Sequence, residues 1–483
     1  MQCRIRLACY VFWMAANKPT YNQSSTPRRG ERSRVGTSLV TVKVCAAPRT
    51  SHLSPNFEDD LPQTHSRQRL VVIGNGMAPG RVLERLFESA PDAFEVTIFN
   101  SEPRVNYNRI MLSPLLLGAK TFEQIVIHGD GWYIKHGVTL YKGATITAID
   151  RAAKTVTSAR GITVPYDKLL IATGSVPVII PVPGHKLAGV LSYRDLDDVQ
   201  AMLLAAKSRG SAVVIGGGLL GLEAAAGLKE QGMDVTVVHL MPTLMERQLD
   251  DTAGQLLRTA VESRGIRVIT GAHTTAILGE KKVEAVLLAD GTCLAADLVV
   301  MAVGIRPNIA LANSAGLDTA RGITTGPTMQ TSDLNIFAVG ECAEVGGELF
   351  GLVAPLYEMA GVVARQLSGE TGAAFQRSAI ATKLKVTGIE LFSAGDFATG
   401  TGRTGITLHD TAHGIYKRLV LQDGKLIGCV MFGDTADGGY FFDLIQSGDD
   451  IARARDTLIF GPAFAPPPPA ASAPALPAPG LAA

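Results

Sequence analysis

Two segments of this chain follow the same plan: a short apolar strand, a glycine turn, a helical stretch, then a second apolar strand. In the first, residues 70–73 run into Gly74-Asn75-Gly76-Met77-Ala78-Pro79-Gly80, followed by a helical stretch at 81–89 and a strand at 94–99. In the second, residues 212–215 run into Gly216-Gly217-Gly218-Leu219-Leu220-Gly221, then a helix at 222–230 and a strand at 234–238. In such a unit the first glycine permits the tight turn. The second lets a pyrophosphate approach the backbone N–H groups at the helix N-terminus, and the third lets helix and strand pack closely. The second segment has all three glycines. The first has Pro79 at the third position, where a first-turn proline is tolerated because its missing N–H would be unpaired anyway. The two turns lie 142 residues apart. One chain that binds two dinucleotides most simply passes a hydride between them.

The strand ends supply further candidates. Glu102 follows Gly74 by 28 residues, somewhat beyond the spacing of ~20 usual for a carboxylate that holds a ribose hydroxyl. His239 occupies the corresponding place after the second unit, with Leu240, Met241 and Pro242 behind it and no Arg before Arg247. A 2′-phosphate wants a nearby Arg, so the pattern favours NADH over NADPH. Three more apolar strands stop at glycine turns: 168–172 at Ala172-Thr173-Gly174, 298–303 at Gly304, and 335–339 at Gly340-Glu341. Glycine at a strand end suits close approach of a ligand. Glu341 is read as a ribityl acceptor, with a helix-start carboxylate as the plain alternative.

Composition narrows the classes. Lys+Arg is 45 and Asp+Glu 44, which argues against a nucleic-acid binder. No apolar run reaches the ~18 residues of a membrane span, so a cytoplasmic protein is expected. Six cysteines in 483 residues exclude a disulfide scaffold. Residues 1–68 carry 10 basic and 4 acidic side chains and read as a disordered basic leader; 462–483 read as a Pro/Ala-rich tail. Cys293, Cys342 and Cys429 are scattered singly, so they read as small buried residues and not as metal ligands. His128, His136 and His185 read as solvated, Trp132-Tyr133 as ordinary packing, and 250–264 as a surface helix.

Taken in order, LVVIGNGM at 70–77, Glu102-Pro103, Asn106-Tyr107-Asn108-Arg109, Ala172-Thr173-Gly174-Ser175, IGGGLLGLE at 215–223, HLMPTLMERQLD at 239–250, Gly340-Glu341-Cys342 and LVAPLYE at 352–358 resemble the flavoprotein portion of bacterial NAD(P)H nitrite reductase large subunits. The resemblance covers about 69–464. It implies an α/β fold with two Rossmann-like dinucleotide-binding domains, for FAD and NAD(P), plus a small α+β C-terminal domain. The implied boundaries are 69–190 with 291–375 for FAD, 191–290 for NAD(P) and 376–461 for the third domain, where 383–394 and 416–432 read as strands. FAD would sit on Gly74, Gly76, Met77, Ala78, Glu102, Arg109, Ala172, Thr173, Gly174, Gly340 and Glu341. NADH (or NADPH) would meet Gly216, Gly218, Leu220, Gly221, Glu223, His239 and Gly304. No side-chain acid or base and no metal site is required.

The departures from relatives are informative. No Cys-x-x-Cys exists, which excludes dithiol disulfide reductases, and Leu112-Ser113-Pro114 has neither the single active cysteine nor the lysine of neighbouring groups. The full-length subunits also continue into iron–sulfur and sirohaem domains. The expected function is therefore electron input: NADH to FAD to a separate iron–sulfur or sirohaem protein in nitrite or nitrate assimilation. A ferredoxin or rubredoxin reductase, or a flavin- and NADH-binding sensor without turnover, are the alternatives.

Overall fold

The computed structural model describes residues 67–376, 381–386 and 388–464. The leader and tail readings fall almost wholly outside the described residues. Leu70–Ile73 is apolar on both faces and at most 5 % exposed, as a strand covered on both sides must be. It lies at the centre of a parallel sheet ordered Ile336–Ala338, Lys168–Ile171, Gln68–Ile73, Phe94–Asn100, Thr139–Lys142. The helices Met77–Ser89 and Val353–Leu367 pack against each other over the same core.

A second parallel sheet repeats the plan, ordered Val190–Ser192, Leu298–Met301, Ser211–Ile215, Asp234–Val238, Arg267–Ile269. Here the structure departs from the sequence-based boundary at 290/291, which gave residues 298–303 to the first domain. Leu298–Met301 instead enters the second sheet beside Ser211–Ile215. All four of its residues are apolar and at most 1 % exposed, as an interior strand of a sheet covered on both faces must be. The chain crosses between the sheets at the antiparallel pair Ser175–Pro177 and Ile305–Pro307.

The third unit is a five-stranded antiparallel sheet with the helix Gly438–Ser447 packed on it. The two stretches read as strands each fold into a hairpin: Ala381–Val386 with Ile389–Gly395, and Ile415–Gln422 with Lys425–Phe432. In the second, Asp423 and Gly424 both take positive φ (51° and 74°), as a type I′ turn demands.

Two readings of single side chains are corrected. His128 is 4 % exposed, because its strand pairs with Asn106–Tyr107 under the first helix and its Nε2 meets Glu84 at 2.8 Å. Cys293 is exposed at the start of an outer strand, Cys293–Ala295, while Cys342 and Cys429 are buried. Trp132 stacks on His128, and the buried Tyr133 hydroxyl bonds the Asn75 side chain inside the first glycine turn. The surface helix forms as Asp251–Glu262, its buried stripe Ala253, Gly254, Leu257, Val261 following the helical period.

Candidate dinucleotide sites

The two glycine turns are built alike. Gly74 has φ +107°, and a Cβ there would lie 2.2 Å from the Ala172 carbonyl oxygen. Gly216 has φ +121°, and its Cβ would lie 2.2 Å from the Ala302 carbonyl oxygen. In each case the neighbouring strand's end crowds the turn, so Ala172-Thr173-Gly174 and the run to Gly304 are part of the same construction. Gly76 and Gly218 are the opposite case. Each is the N-cap of its helix, with no side-chain cap, and a Cβ on either would meet nothing within 4 Å. Both helices thus present unpaired N–H groups to open space. A pyrophosphate is the group such a cradle fits. Gly221 completes the second turn, since a Cβ there would sit 1.9 Å from the Gly216 oxygen.

Around the first turn the predicted residues converge. Asn106 Nδ2 donates to the Gly76 carbonyl at 2.6 Å. Glu102 accepts from the Tyr107 hydroxyl at 2.8 Å and pairs with Arg109. Arg109 Nη1 donates to the Arg194 carbonyl at 3.1 Å, and the Arg194 guanidinium pairs with Glu341. Ser175 Oγ also donates to Glu341, at 2.6 Å. Glu341 leads into the strand Ala343–Val345, so the helix-start alternative for it does not hold. Gly340 packs against the first helix, its Cβ position 3.3 Å from Ala78 Cβ. Thr173 Oγ1 donates to the Asn308 carbonyl at 2.7 Å, which fastens the crossing. Burial raises the Cys342 thiol pKa, so this sulfur is not a reactive thiolate.

A short helix of the first unit, Leu112–Leu116, reaches the second site. It packs on the helix Leu219–Glu230 at Gly227, where a Cβ would strike Leu116 Cγ at 2.5 Å. That contact brings Ser113 to Glu223. Ser113 Oγ donates to the Glu223 carboxyl and lies 2.9 Å from the Tyr193 hydroxyl. No cation joins this cluster among the described residues, and burial raises the pKa of both Glu223 and Tyr193. Leu220 is 40 % exposed at the mouth of the turn, and Gly304 is exposed as well. His239 is buried, its ring taken up by Gly217 and Glu246.

The sequence motifs do not point to Arg194 or Tyr193, and they mark Ser113 only by the cysteine and lysine its segment lacks. Each lies outside a glycine motif, and its partner is 80 to 147 residues away. A weak signal was present at 193–198, where Asp195 caps the helix Leu196–Ala206 and fixes the direction of Tyr193-Arg194.

The raised carboxyl of Glu223 has a stability consequence. An acid whose folded pKa is raised stabilises fully below its unfolded value and loses that contribution as pH rises toward the folded value. Glu223→Gln removes the charged form. In urea unfolding of ligand-free protein, the variant is expected to match the parent near pH 4 and exceed it at pH 8. Equal midpoints at both pH values would contradict this.

Two pyrophosphate cradles on adjoining Rossmann sheets, with Glu341 at the crossing and Glu223 beside the helix that reaches the second site, define an oxidoreductase dependent on FAD and NAD(P)H. The chain belongs to the pyridine nucleotide-disulphide oxidoreductase family, which it matches over residues 68–362; residues 381–449 match the rubredoxin NAD+ reductase C-terminal domain. It is 46 % identical to a nitrite reductase [NAD(P)H] of Bacillus subtilis (strain 168), over 82 % of this chain and 49 % of the relative. It is 44 % identical to that organism's assimilatory nitrate reductase electron transfer subunit, over 81 % of this chain and 51 % of the relative. The resemblance read from the motifs therefore holds, and the chain spans about half the length of these curated relatives. Among solved structures, the covalent putidaredoxin reductase–putidaredoxin complex is similar at a TM-score of 0.72 and 26 % identity, covering 80 % of this chain and 94 % of that one.

Proposed function

We propose that this chain is the electron-input flavoprotein of assimilatory nitrite or nitrate reduction, oxidising NADH and passing the electrons to an iron–sulfur or sirohaem protein. The observation that carries the reading is the likeness to the two Bacillus proteins over four-fifths of the chain. When bound, FAD supplies the conversion of a two-electron hydride donor into one-electron transfers. The chain's part is binding and orientation. Gly76 and Gly218 open the two cradles to pyrophosphates. Glu102 would hold the adenosine side of FAD and Arg109 would lie near its phosphates, while Glu341, steadied by Arg194 and Ser175, would accept from ribityl hydroxyls. Glu223, whose carboxyl pKa is raised by burial, would meet the nicotinamide cofactor, and Ser113 and Tyr193 fix its direction. A cytoplasmic location goes with this reading; among the described residues no helix is long and apolar enough to cross a membrane.

A reductase for a small ferredoxin or rubredoxin is the second reading, favoured by the match of the C-terminal domain and the likeness to a reductase seen with its putidaredoxin. An anaerobic titration of the FAD-loaded chain tests what both share. One equivalent of NADH is expected to bleach the flavin absorbance. Bound FAD that neither NADH nor NADPH bleaches would sink both and leave a binding role. The reduced protein is then offered a sirohaem reductase domain or a small iron–sulfur protein; the acceptor oxidised faster decides between the two readings.

A further inference from the structure

At the end of its second strand a dinucleotide fold reads the adenosine ribose, ordinarily with a carboxylate. Here that place holds His239, immediately after the strand Asp234–Val238. The residue is 9 % exposed and both ring nitrogens are engaged. Nδ1 receives the backbone N–H of Gly217 at 3.0 Å. An amide N–H can only donate, so Nδ1 carries no proton and the ring proton sits on Nε2. Nε2 faces Glu246 Oε2 at 3.1 Å, and donates to it. With both ring nitrogens engaged inside the protein, His239 offers no free donor to a 2′-phosphate.

Glu246 is held at the turn by two independent fastenings. One is the His239 bridge. The other is backbone: the Met245 N–H donates to the Gly217 carbonyl at 3.1 Å. Met245 takes φ +52°, and its own carbonyl receives the N–H groups of Gln248 and Leu249 at 2.8 and 2.9 Å, so the segment is a tight turn, not a loose loop. Leu244 closes the packing, 2.6 Å from where a Gly217 Cβ would stand. A carboxylate thus stands one imidazole away from the glycine turn. Its Oε2 is occupied by His239, while Oε1 has no partner among the described residues, and the side chain is 32 % exposed.

We infer that Glu246, positioned by His239, is the carboxylate that reads the adenosine ribose in this chain, and that the pair selects NADH against NADPH. The inference rests on reading the second turn as the NAD(P)H site. A ribose diol donates to Oε1. A 2′-phosphate brings two negative groups together and offers no donor in exchange.

Calorimetric titration of the FAD-loaded full chain with NAD+ and with NADP+ tests this without turnover. The parent is expected to bind NAD+ at least about tenfold more tightly than NADP+, the size of one charge-assisted hydrogen bond. Glu246→Gln should weaken NAD+ about tenfold and narrow the ratio by as much. His239→Asn should move the ratio in the same direction, since its amide oxygen can still take the Gly217 N–H but no longer reaches Glu246. Retained flavin content shows that each variant is folded. Equal affinity of the parent for both nucleotides, or a ratio left unchanged by Glu246→Gln, overturns the inference while the oxidoreductase reading stands. Binding of neither nucleotide by a flavin-loaded parent overturns both.

Discussion

Gly74→Ala is expected to yield a chain that does not accumulate as folded flavoprotein. The residue's φ of +107° is one that side-chain-bearing residues rarely adopt, and its Cβ would stand 2.2 Å from the Ala172 carbonyl oxygen. That oxygen is backbone, at the end of Lys168–Ile171, a strand paired with both Gln68–Ile73 and Ile336–Ala338. Relief requires parting central strands of a buried sheet, and a cost above about 4 kcal/mol follows from the combined strain and overpacking. Gly76→Ala isolates the other role of glycine, because a Cβ there meets no protein atom within 4 Å. That variant should fold with the parent's circular dichroism and with the melting temperature of the flavin-free parent, but copurify with little flavin, since the methyl group occupies the pyrophosphate's approach. Gly221→Ala, whose Cβ would lie 1.9 Å from the Gly216 oxygen, should damage the second site in the way Gly74→Ala damages the first. The ratio of flavin to protein absorbance in the purified variants separates these outcomes. A yellow, stable Gly74→Ala protein, or a fully flavin-loaded Gly76→Ala protein, would show that the turn does not work as described.

The second large effect is expected at Asp250. This carboxylate caps the helix Asp251–Glu262 by accepting the Ala253 N–H at 3.0 Å. It also accepts from Tyr416 at 2.7 Å and Arg418 at 3.0 Å, both on a strand of the C-terminal sheet. The paired side chains are 11 % and 17 % exposed, so removal of one leaves the other's charge largely cut off from water. Burial and the adjacent Asp250 carboxylate both push the Tyr416 hydroxyl pKa up, as a buried donor to that carboxylate requires. Asp250→Ala should cost about 3–5 kcal/mol, the loss of a cap plus an orphaned buried guanidinium. It should also make the C-terminal unit the first to be released by protease. Asp250→Ala with Arg418→Met should recover part of the loss, because the charge left behind is then gone. Urea unfolding of the single and double variants measures both. A single variant within 1 kcal/mol of the parent, on the scale of a surface pair, would mean that this link does not hold the units together.

The C-terminal hairpins are legible in the sequence. Asp423-Gly424 between two apolar runs is a hairpin signal, and reading residues 416–432 as one strand ignored it. Leu298–Met301 was different. Its apolar pattern announced a covered strand, but nothing local says which of two like sheets it enters. The burial of His128 is hidden for a related reason: it comes from strand pairing with Asn106–Tyr107, which no period within its own segment reveals.

What the sequence alone determined is therefore the chemistry of nearest neighbours. A glycine at positive φ, an uncapped helix start after it and the apolar strand before it are short-range demands, met within a dozen residues of Gly74 and again of Gly216. They carried the two cradles and the class of ligand, while the family came from the resemblance of motifs spread over residues 69–464. Only the tertiary structure decided which distant groups meet: Arg194 with Glu341, Ser113 and Tyr193 with Glu223, Asp250 with Arg418. Those meetings follow from sheet order and from the docking of Leu116 on Gly227. Burial energy selects them over the whole chain, and periodicity within any one segment leaves no trace of them.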